Sequence, residues 1–438
     1  MNRIIYYYFF VSFLIVFFIF GYFSHKYKFK NIYTFVESFV IEIENLFEVS
    51  LDNILLEPQP LSKDNYLNNQ NFNLDDKPIN DFEFPLLLKL DHSNFRLMKN
   101  PNSALWNWNL DKFRKPEIIM PIKLFENGDI IVAKLNNKGI YRIDKKGNIL
   151  WKSNHYFHHW GSNLEEKLFV PSRKFKKVSE IKNEKIKSFF KKECSDSEIL
   201  FDTILVIDIN NGNKLKEISL LEVFFNSEKF NNLFKTKFDE NFTCGNILHL
   251  NDVIVLDDQK AGFFESGSKG DLLLSFRQFN SLVLIDSKNY SVKWFYTDNM
   301  FRQHSPRITN NGTLLIFDNM FKRKGQEEYV SRILEIDIET KKILGYFDDF
   351  KGNFYSQTRG RIQIINDRIF VQSSSQGEIF EIKCDSKYVN NKCQSEYLYS
   401  AIYSDFYNHN IYNDRGEKND QMYLGDFYET ELLFLKDD

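Results

Sequence analysis

Short apolar runs separated by polar turns begin near Phe84 and continue through most of the following chain. Runs of this length, rich in aromatic and β-branched residues, predict β-strands joined by tight turns. One unit of strand, polar turn and strand recurs five times, as in KGIYRIDKKGNILWK and SLVLIDSKNYSVKWFY. The first strand of this unit ends at Asp144, Asp208, Asp286, Asp337 and, in the fifth copy, Lys383.

A second strand-turn-strand unit precedes each of these hairpins, as in IKLFENGDIIVAKL and RITNNGTLLIFDN. Two hairpins per repeat make a four-stranded antiparallel sheet, and a row of such sheets predicts a β-propeller. A sixth sheet can be assembled from Phe84–Met98 and segments near the C-terminus, which closes the ring and removes the exposed sheet edge. We therefore predict an all-β catalytic or binding domain over residues 84–438, with six four-stranded blades.

The pattern before the propeller is different. Ile4–Phe23 is a run of 20 residues without a charge, long enough to cross a bilayer as a helix. It is not followed by a small-residue cleavage site, so residues 1–30 are predicted to be a retained N-terminal membrane anchor. Asn31–Glu48 places apolar residues at helical spacing and glutamates opposite them, which predicts a short amphipathic helix. With the Asn-, Asp- and Pro-rich stretch that follows, it makes residues 31–83 a connecting segment.

The side of the membrane on which the propeller lies is indicated by two opposing features. Lysines directly after the span, at positions 26, 28 and 30, favour a cytoplasmic body. Cys384 and Cys393 flank a polar turn, and a disulfide between them, which we predict, favours an oxidising compartment. We expect the propeller to be exported. Cys194 and Cys244 are distant in sequence and cannot be paired from the pattern.

Composition excludes several classes of protein. With 57 basic and 60 acidic residues, the chain lacks the concentrated basic face that nucleic-acid binding requires. The Lys-rich stretch Arg173–Lys192 alternates with Glu and Phe, which predicts a solvated insertion. No CxxC pair, Gly-rich phosphate loop or Gly-x-Ser-x-Gly motif is present. Five tryptophans without regular spacing also disfavour a quinone-dependent propeller, and no cofactor is expected.

Histidines mark equivalent places in successive repeats of a chain that has only eight. Directly before the first strand of a repeat stand His158 and His159, His249, His304, and the arginines Arg359 and Arg361. Arg277 lies one strand further along in the third repeat. A single histidine at a strand edge is usually a structural residue. Its repetition in several blades instead predicts a shared site at one mouth of the central channel.

The chemistry of that site depends on its neighbours. Three imidazoles could bind zinc and leave one coordination position open, but Arg277 would be an unfavourable neighbour for a cation. A guanidinium presents a planar fork of donors to the oxygens of a sulfate or phosphate. Histidine can act as nucleophile, acid or base near neutral pH. The residues therefore predict transfer of an anionic group, without a metal.

Four motifs, in this order, resemble the bacterial arylsulfotransferase family that works without a nucleotide donor. They are HHW, LHLNDV, the stretch GDLLLSFRQFNSLVLIDSKNYSVKWFY, and QHSPRITNNGTLLIFDN. The resemblance covers roughly Trp151–Ile382. It implies a six-bladed periplasmic propeller that moves a sulfuryl group from a phenol sulfate to another phenol through a sulfo-histidine. With the predicted anchor, it implies an inner-membrane protein whose propeller lies in the periplasm.

The same resemblance implies roles for individual residues. His304 would be the nucleophile and His249 the acid/base, while Arg277 and His159 would hold the sulfuryl oxygens. Asn251, His158 and Arg359 would bind substrate. The acceptor could be a phenol, a hydroxylated lipid or a sugar. The alternative is a non-catalytic envelope propeller that acts as a binding or assembly scaffold. An enzyme requires histidines and arginines that converge in the channel, whereas a scaffold does not.

Overall fold

The computed structural model describes residues 60–61, 86–89, 94–100, 103–110, 119–135, 137–194, 198–225, 244, 247–322, 329–348, 354–356, 359–365, 367–373, 378–384, 393–400 and 422–423. All of them belong to Pro58–Asp438, one of the two units into which the chain divides. The predicted anchor and amphipathic helix lie outside the described residues. None of the described helices is long and apolar enough to span a membrane.

The repeated units of the sequence form five four-stranded antiparallel sheets, named blades 1 to 5, each with its strands side by side in chain order. Blade 1 contains β5 (Ile119–Leu124), β6 (Ile130–Lys134), β7 (Asn137–Ile143) and β8 (Ile149–Phe157). Blade 2 contains β9 (Ser162–Leu164), β10 (Lys167–Lys177), β11 (Glu198–Asp208) and β12 (Lys214–Ser219). Blade 3 contains β13 (Leu250–Val255), β14 (Leu272–Phe276), β15 (Ser281–Ile285) and β16 (Val292–Tyr296).

Blade 4 contains β17 (His304–Ile308), β18 (Thr313–Lys322), β19 (Tyr329–Asp337) and β20 (Ile343–Phe347). Blade 5 contains β21 (Arg361–Ile365), β22 (Arg368–Ser373), β23 (Glu378–Cys384) and β24 (Cys393–Ser400). The helices are α1 (Glu184–Cys194), α2 (Leu220–Phe225) and α3 (Asp258–Ala261), with a 3-10 turn at Val178–Glu180. The predicted hairpins after Asp144, Asp208, Asp286 and Asp337, and the hairpin at Lys383, are all confirmed.

The blade count differs from the predicted six, because the described residues form five four-stranded blades. A three-stranded sheet of β2 (Leu86–Lys89), β3 (Asn94–Asn100) and β4 (Ser103–Asn109) packs beside blade 1 through a shared apolar cluster. The C-terminal segments that were expected to complete it lie outside the described residues, except for β25 (Met422–Tyr423), which pairs with β1 (Pro60–Leu61).

Apolar packing between the faces of successive blades holds the blades in sequence. Clusters join blade 1 to blade 2, blade 2 to blade 3, blade 3 to blade 4, and blade 4 to blade 5. Phe317 of blade 4 and Phe380 of blade 5, for example, are both almost fully buried in one cluster. Burial of such large side chains is the main favourable contribution to folding.

The first strand of each blade is central and the fourth is peripheral. The first strands of blades 2 to 5 contact one another in succession, β9 with β13, β13 with β17 and β17 with β21. Every residue of β13 is buried, whereas β12 and β20 expose large side chains such as Leu215 and Leu344. Because the central strands run close together, the residues that precede them meet at one end of the propeller.

The Lys-rich stretch is not simply a solvated insertion. Its first residues, including Arg173, extend β10, and the stretch ends in α1. A disulfide joins Cys194 at the end of α1 to Cys244, with a Cα–Cα distance of 5.8 Å. Cys384 and Cys393 are direct partners across the β23–β24 hairpin. This backbone placement is compatible with the predicted second disulfide, which stays a prediction.

Candidate active site

The predicted histidines converge at the end of the propeller where the fourth strand of one blade leads into the first strand of the next. His158 and His159 lie between β8 and β9, His249 precedes β13, and His304 begins β17. Arg277 follows β14, so it lies at the same end of blade 3. The chain folds this way because each blade repeats one hairpin arrangement, which returns equivalent loops to one mouth of the channel.

The imidazole rings form a compact cluster. The ring centroids of His158 and His159 are 4.1 Å apart, and those of His158 and His249 are 5.0 Å apart. His159 lies 5.2 Å from His249 and 5.6 Å from His304 by the same measure. His158, His249 and His304 are buried, and His159 is partly buried. Histidines up to 146 residues apart in sequence (158 to 304) are thus brought into one site.

One proton position on His304 is determined by its partners. Its Nδ1 lies 2.9 Å from the carbonyl oxygen of Arg302 and 2.7 Å from Oδ1 of Asn319. Both partners are acceptors, because Nδ2 of Asn319 donates to the carbonyl oxygens of Ser356 and Arg359, which orients that amide. His304 must therefore carry its proton on Nδ1, and its lone pair is on Nε2.

The second proton position follows from Arg277. One of its terminal guanidinium nitrogens lies 3.5 Å from Nδ1 of His249. Because a guanidinium only donates, Nδ1 of His249 is the acceptor and the proton lies on Nε2. That Nε2 is 3.1 Å from Nε2 of His159, which accordingly accepts. His249 and His159 form a hydrogen-bonded pair, and the ring centroid of His159 lies 5.6 Å from that of His304.

All four imidazoles are held neutral near neutral pH. Burial, with the neighbouring positive charges as a further cause, lowers the pKa of His158, His159 and His249 well below the ordinary value. Burial also lowers the pKa of His304 to about 4, although the hydrogen bond with Asn319 acts in the opposite direction. The charge of Arg277 lowers the pKa further. A neutral imidazole is the form that can act as a nucleophile.

Cations surround the imidazole cluster. Burial lowers the pKa of His159 most, and the positive charges of Arg173, Arg359 and Arg277 lower it further. The imidazole nitrogens of His158, His159 and His249 lie within 4.8 Å of one another, a spacing that could hold a metal ion. Three guanidinium groups nearby favour an anion over a cation in this space. The expected absence of a metal stays a prediction.

The backbone at the site is strained. Among non-glycine residues with a left-handed backbone are His159 (φ 61°), His249 (φ 53°), Arg302 (φ 55°), Ser305 (φ 47°) and Arg359 (φ 67°). Such conformations cost about 1–3 kcal/mol each and persist where surrounding contacts enforce them. Here, residues with this backbone flank or supply the imidazole and guanidinium groups, which is typical of a pre-organised site.

Polar side chains of blade 3 enforce the position of the segment before His304. Gln303 is fully buried, and its Nε2 lies 3.1 Å from each of Oγ of Ser275 and the carbonyl oxygens of Phe276 and Ser281. Asn251, which was predicted to bind substrate, donates to the carbonyl oxygen of Gln303 at 2.8 Å. In this structure Asn251 therefore supports the segment that carries His304. Its predicted role as a substrate ligand is untested.

Three residues of this network were not predicted from the sequence. Asp202 accepts from the backbone N–H of His249 at 2.8 Å and from Nε of Arg173 at 3.2 Å. Asn319 is fully buried beside His304. Asn319 closes the motif QHSPRITNNGTLLIFDN, which was the sequence signal that could have singled it out. No local signal distinguished Arg173 or Asp202, because their partners lie far away along the chain.

The predicted arginines of blade 5 occupy two positions. Arg359 is partly buried. Burial is the main cause that lowers the pKa of His304, and the charges of Arg277 and then Arg359 lower it further. Arg361 stacks on Trp160, with its guanidinium carbon 4.7 Å from the ring centroid. The convergence of arginines and histidines is the feature that an enzyme requires and a scaffold does not.

Comparison with known proteins agrees with the sequence motifs. A family model described as arylsulfotransferase (ASST) matches residues 153–394, more than half of the chain. No curated protein matches the chain. 

Solved structures resemble the chain with low sequence identity. A protein of unknown function from Bacteroides caccae is 11% identical, with 72% of this chain and 94% of that chain covered and a TM-score of 0.40. BamB from Moraxella catarrhalis is 11% identical over 71% and 76% of the two chains, with a TM-score of 0.33. Hydrazine synthase from Kuenenia stuttgartiensis is 9% identical over 72% and 80%, with a TM-score of 0.39.

Proposed function

Because this chain belongs to the arylsulfotransferase family, we propose that it moves a sulfuryl group from an aryl sulfate to a phenolic or other hydroxyl acceptor. The observation that carries this proposal is the hydrogen bonding of His304. Its Nδ1 proton is held by two acceptors, so its lone pair lies on Nε2, inside a cluster of cationic side chains.

In the first half-reaction, the lone pair on Nε2 of His304 attacks the sulfur of the donor. An N–S bond forms, the bond between sulfur and the aryl oxygen breaks, and that oxygen leaves with the electron pair. Arg277, with Arg359 and His159, stabilises the negative charge on the sulfuryl oxygens, which spreads over them during transfer. The products are a phenolate, which takes up a proton from solvent, and a sulfuryl group on His304.

In the second half-reaction, the acceptor hydroxyl attacks the same sulfur. Its oxygen forms the new S–O bond, the N–S bond breaks, and the electron pair returns to Nε2 of His304. The hydroxyl proton passes to the pair formed by His159 and His249, whose nitrogens lie 3.1 Å apart. The pair is neutral before this step and afterwards releases the proton to solvent, which replaces the proton taken up by the phenolate, so protons balance over one turnover.

The setting of this activity is also proposed. Ile4–Phe23 would anchor the chain in the inner membrane, with the propeller in the periplasm. The Cys194–Cys244 disulfide supports an oxidising compartment, since disulfides are rare in the cytosol. The three-stranded sheet β2–β4 would be the sixth blade, completed by the C-terminal segments. Protease treatment of spheroplasts should degrade the propeller of the full-length protein, and protection of the propeller would contradict this orientation.

The decisive test of the activity is an adduct on His304. Incubation with 4-nitrophenyl sulfate should release one equivalent of nitrophenol in a burst and leave an acid-labile sulfuryl group on His304. His304→Ala should abolish both the adduct and transfer to a phenol. His155 of β8 lies outside the cluster, so His155→Ala is the matched control and should retain transfer. Absence of an adduct in the wild type, or near-normal transfer by His304→Ala, would reject the mechanism.

A further inference from the structure

We propose that Asn319 is a positioning residue that couples the His304 nucleophile to the Arg359 loop through one side-chain amide. This inference rests on the proposed function and extends the role of Asn319 from an acceptor for His304 to a link between two blades. Asn319 is fully buried within β18, the second strand of blade 4. It neither carries charge nor offers a nucleophile, so its contribution would come from what it holds in place.

The oxygen of the Asn319 amide fixes the orientation and the tautomer of the His304 imidazole. Oδ1 accepts from Nδ1 of His304 at 2.7 Å. Without an acceptor at this position, the imidazole loses the stronger of the two partners that keep its proton on Nδ1, the other being the carbonyl of Arg302 at 2.9 Å. A ring that rotates, or carries its proton on Nε2, cannot attack sulfur.

The nitrogen of the same amide holds the backbone that leads into blade 5. Nδ2 donates to the carbonyl oxygen of Ser356 at 2.8 Å and to that of Arg359. Arg359 has a left-handed backbone (φ 67°), a conformation that requires support from its surroundings. Asn319 is therefore bonded at once to the nucleophile and to the backbone that presents a guanidinium to the site.

A serine reinforces this connection from the other side. The Ser331 hydroxyl donates to the Asn319 carbonyl oxygen at 2.9 Å and accepts from the backbone N–H of Ser356 at 2.8 Å. All three residues are fully buried. Blade 4 and the loop before blade 5 are thus tied at two neighbouring points, which limits how far Arg359 can move relative to His304.

Two substitutions separate the functions of the oxygen and the nitrogen. Asn319→Leu removes both, and should slow adduct formation on His304 by about 10²- to 10⁴-fold, as loss of the correct histidine tautomer does elsewhere. Asn319→Asp keeps an acceptor for Nδ1 but cannot donate to Ser356 or Arg359. Its negative charge favours the protonated imidazole, so the acid limb of the pH profile for adduct formation should move to higher pH. Both variants should raise the KM for the aryl sulfate.

A matched control lies in the same strand. Thr313 begins β18 and donates to Oε1 of Glu335 at 2.8 Å, at the end of the blade away from the histidines. Thr313→Val loses a buried hydrogen bond of similar kind, and should lower thermal stability without changing the KM or the pH profile. If Asn319→Leu does not fold, the pH profile of Asn319→Asp decides alone.

The outcomes distinguish this inference from the proposed function. Wild-type protein that forms the adduct while both Asn319 variants keep its KM and pH profile would overturn the role of Asn319 only. A reduced burst amplitude with unchanged rate, KM and pH profile would indicate a merely structural residue and would also overturn it. Wild-type protein that forms no adduct would reject the proposed function itself.

Discussion

The turns at one end of the propeller and the histidines at the other are held by different kinds of hydrogen bond. At the end that carries the hairpins between third and fourth strands, an Asp caps the turn of blades 1 to 4 through its own neighbours. Asp144 accepts from Lys146 and Asn148, both at 2.8 Å, and Asp286 accepts from Lys288 at 2.8 Å and Asn289 at 2.9 Å. At the opposite end, His304 has one local acceptor, the carbonyl oxygen of Arg302, but the other bonds that position the histidines join residues 15 to 90 positions apart.

This difference assigns separate tasks to the two ends. The turns of the hairpin end are capped by hydrogen bonds between residues close in sequence, so each of these turns can form without the other blades. The histidine end depends on neighbouring blades, as when Asn251 of blade 3 supports the segment that carries His304. We expect substitutions at the hairpin end to affect stability modestly, and substitutions at the histidine end to affect turnover strongly.

Among the variants that compare the two ends directly, the largest effect is expected for Arg277. Arg277→Gln should slow transfer by about 10²- to 10³-fold, because removing one preorganised donor to a developing oxyanion costs that much. Arg142 of blade 1 is the matched arginine at the other end, where it binds Asp129 at 2.8 Å. Arg142→Gln should lower stability and leave turnover per folded molecule unchanged. Equal losses of turnover in the two variants would contradict the division between the ends.

The features that could be predicted from the sequence are those that depend on residues close together in the chain. The five hairpins and their strands were evident from apolar periodicity and, in four of the five, from the Asp before the polar turn, because those signals lie within a few residues. The equivalent positions of His158, His249 and His304 were also evident, since the repeat makes them comparable. The blade count was less accessible, because closing a ring depends on pairing between distant ends of the chain.

The supporting residues of the site could not be derived from the sequence. Arg173 was assigned to a solvated insertion because its neighbours are lysines, yet it pairs with Asp202 beside the cluster. Asn251 was assigned to substrate, while its amide is bonded to the carbonyl oxygen of Gln303. Cys194 and Cys244 could not be paired, because 50 residues separate them. In each case a partner in a different strand or blade decides the role.

A smaller effect is expected when pH is varied. Burial lowers the pKa of His304 to about 4, so the nucleophile should remain neutral through pH 5. The kcat/KM for an aryl sulfate reports the free enzyme, and should fall less than about twofold between pH 7 and 5. An imidazole with the ordinary pKa of about 6.5 would lose roughly 25-fold over the same interval. A loss of that size would show that His304 is not desolvated as described.

The buried imidazoles also predict how stability responds to acid. They stay neutral in the folded protein but take up protons when unfolded, so the unfolded state binds more protons below about pH 6.5. The free energy of unfolding should therefore fall as the pH drops from about 6.5 toward the lowered pKa values of these imidazoles in the folded protein. Urea denaturation at a series of pH values would measure it. Stability that is constant across this window would contradict neutral, buried histidines.

The smallest effect is expected at the hairpin end, for Asp286. Hydrogen bonds from Lys293 and from backbone N–H groups lower the pKa of Asp286 to about 2. A carboxylate with a lowered pKa stabilises the fold at pH values above its unfolded pKa of about 3.8, and this stabilisation is lost as the pH falls toward 2.

Asp286→Asn keeps a side-chain oxygen that can accept from the backbone N–H groups of the turn, and it leaves Lys293 paired with Asp271 at 2.7 Å. Its cost at pH 7 should therefore be about 1 kcal/mol, the upper end for an ion pair at the protein surface. Urea midpoints of the variant and the wild type should converge between pH 4 and 2, with turnover unchanged at pH 7. A difference that persists in acid would mean that shape, and not charge, makes Asp286 suitable for the turn.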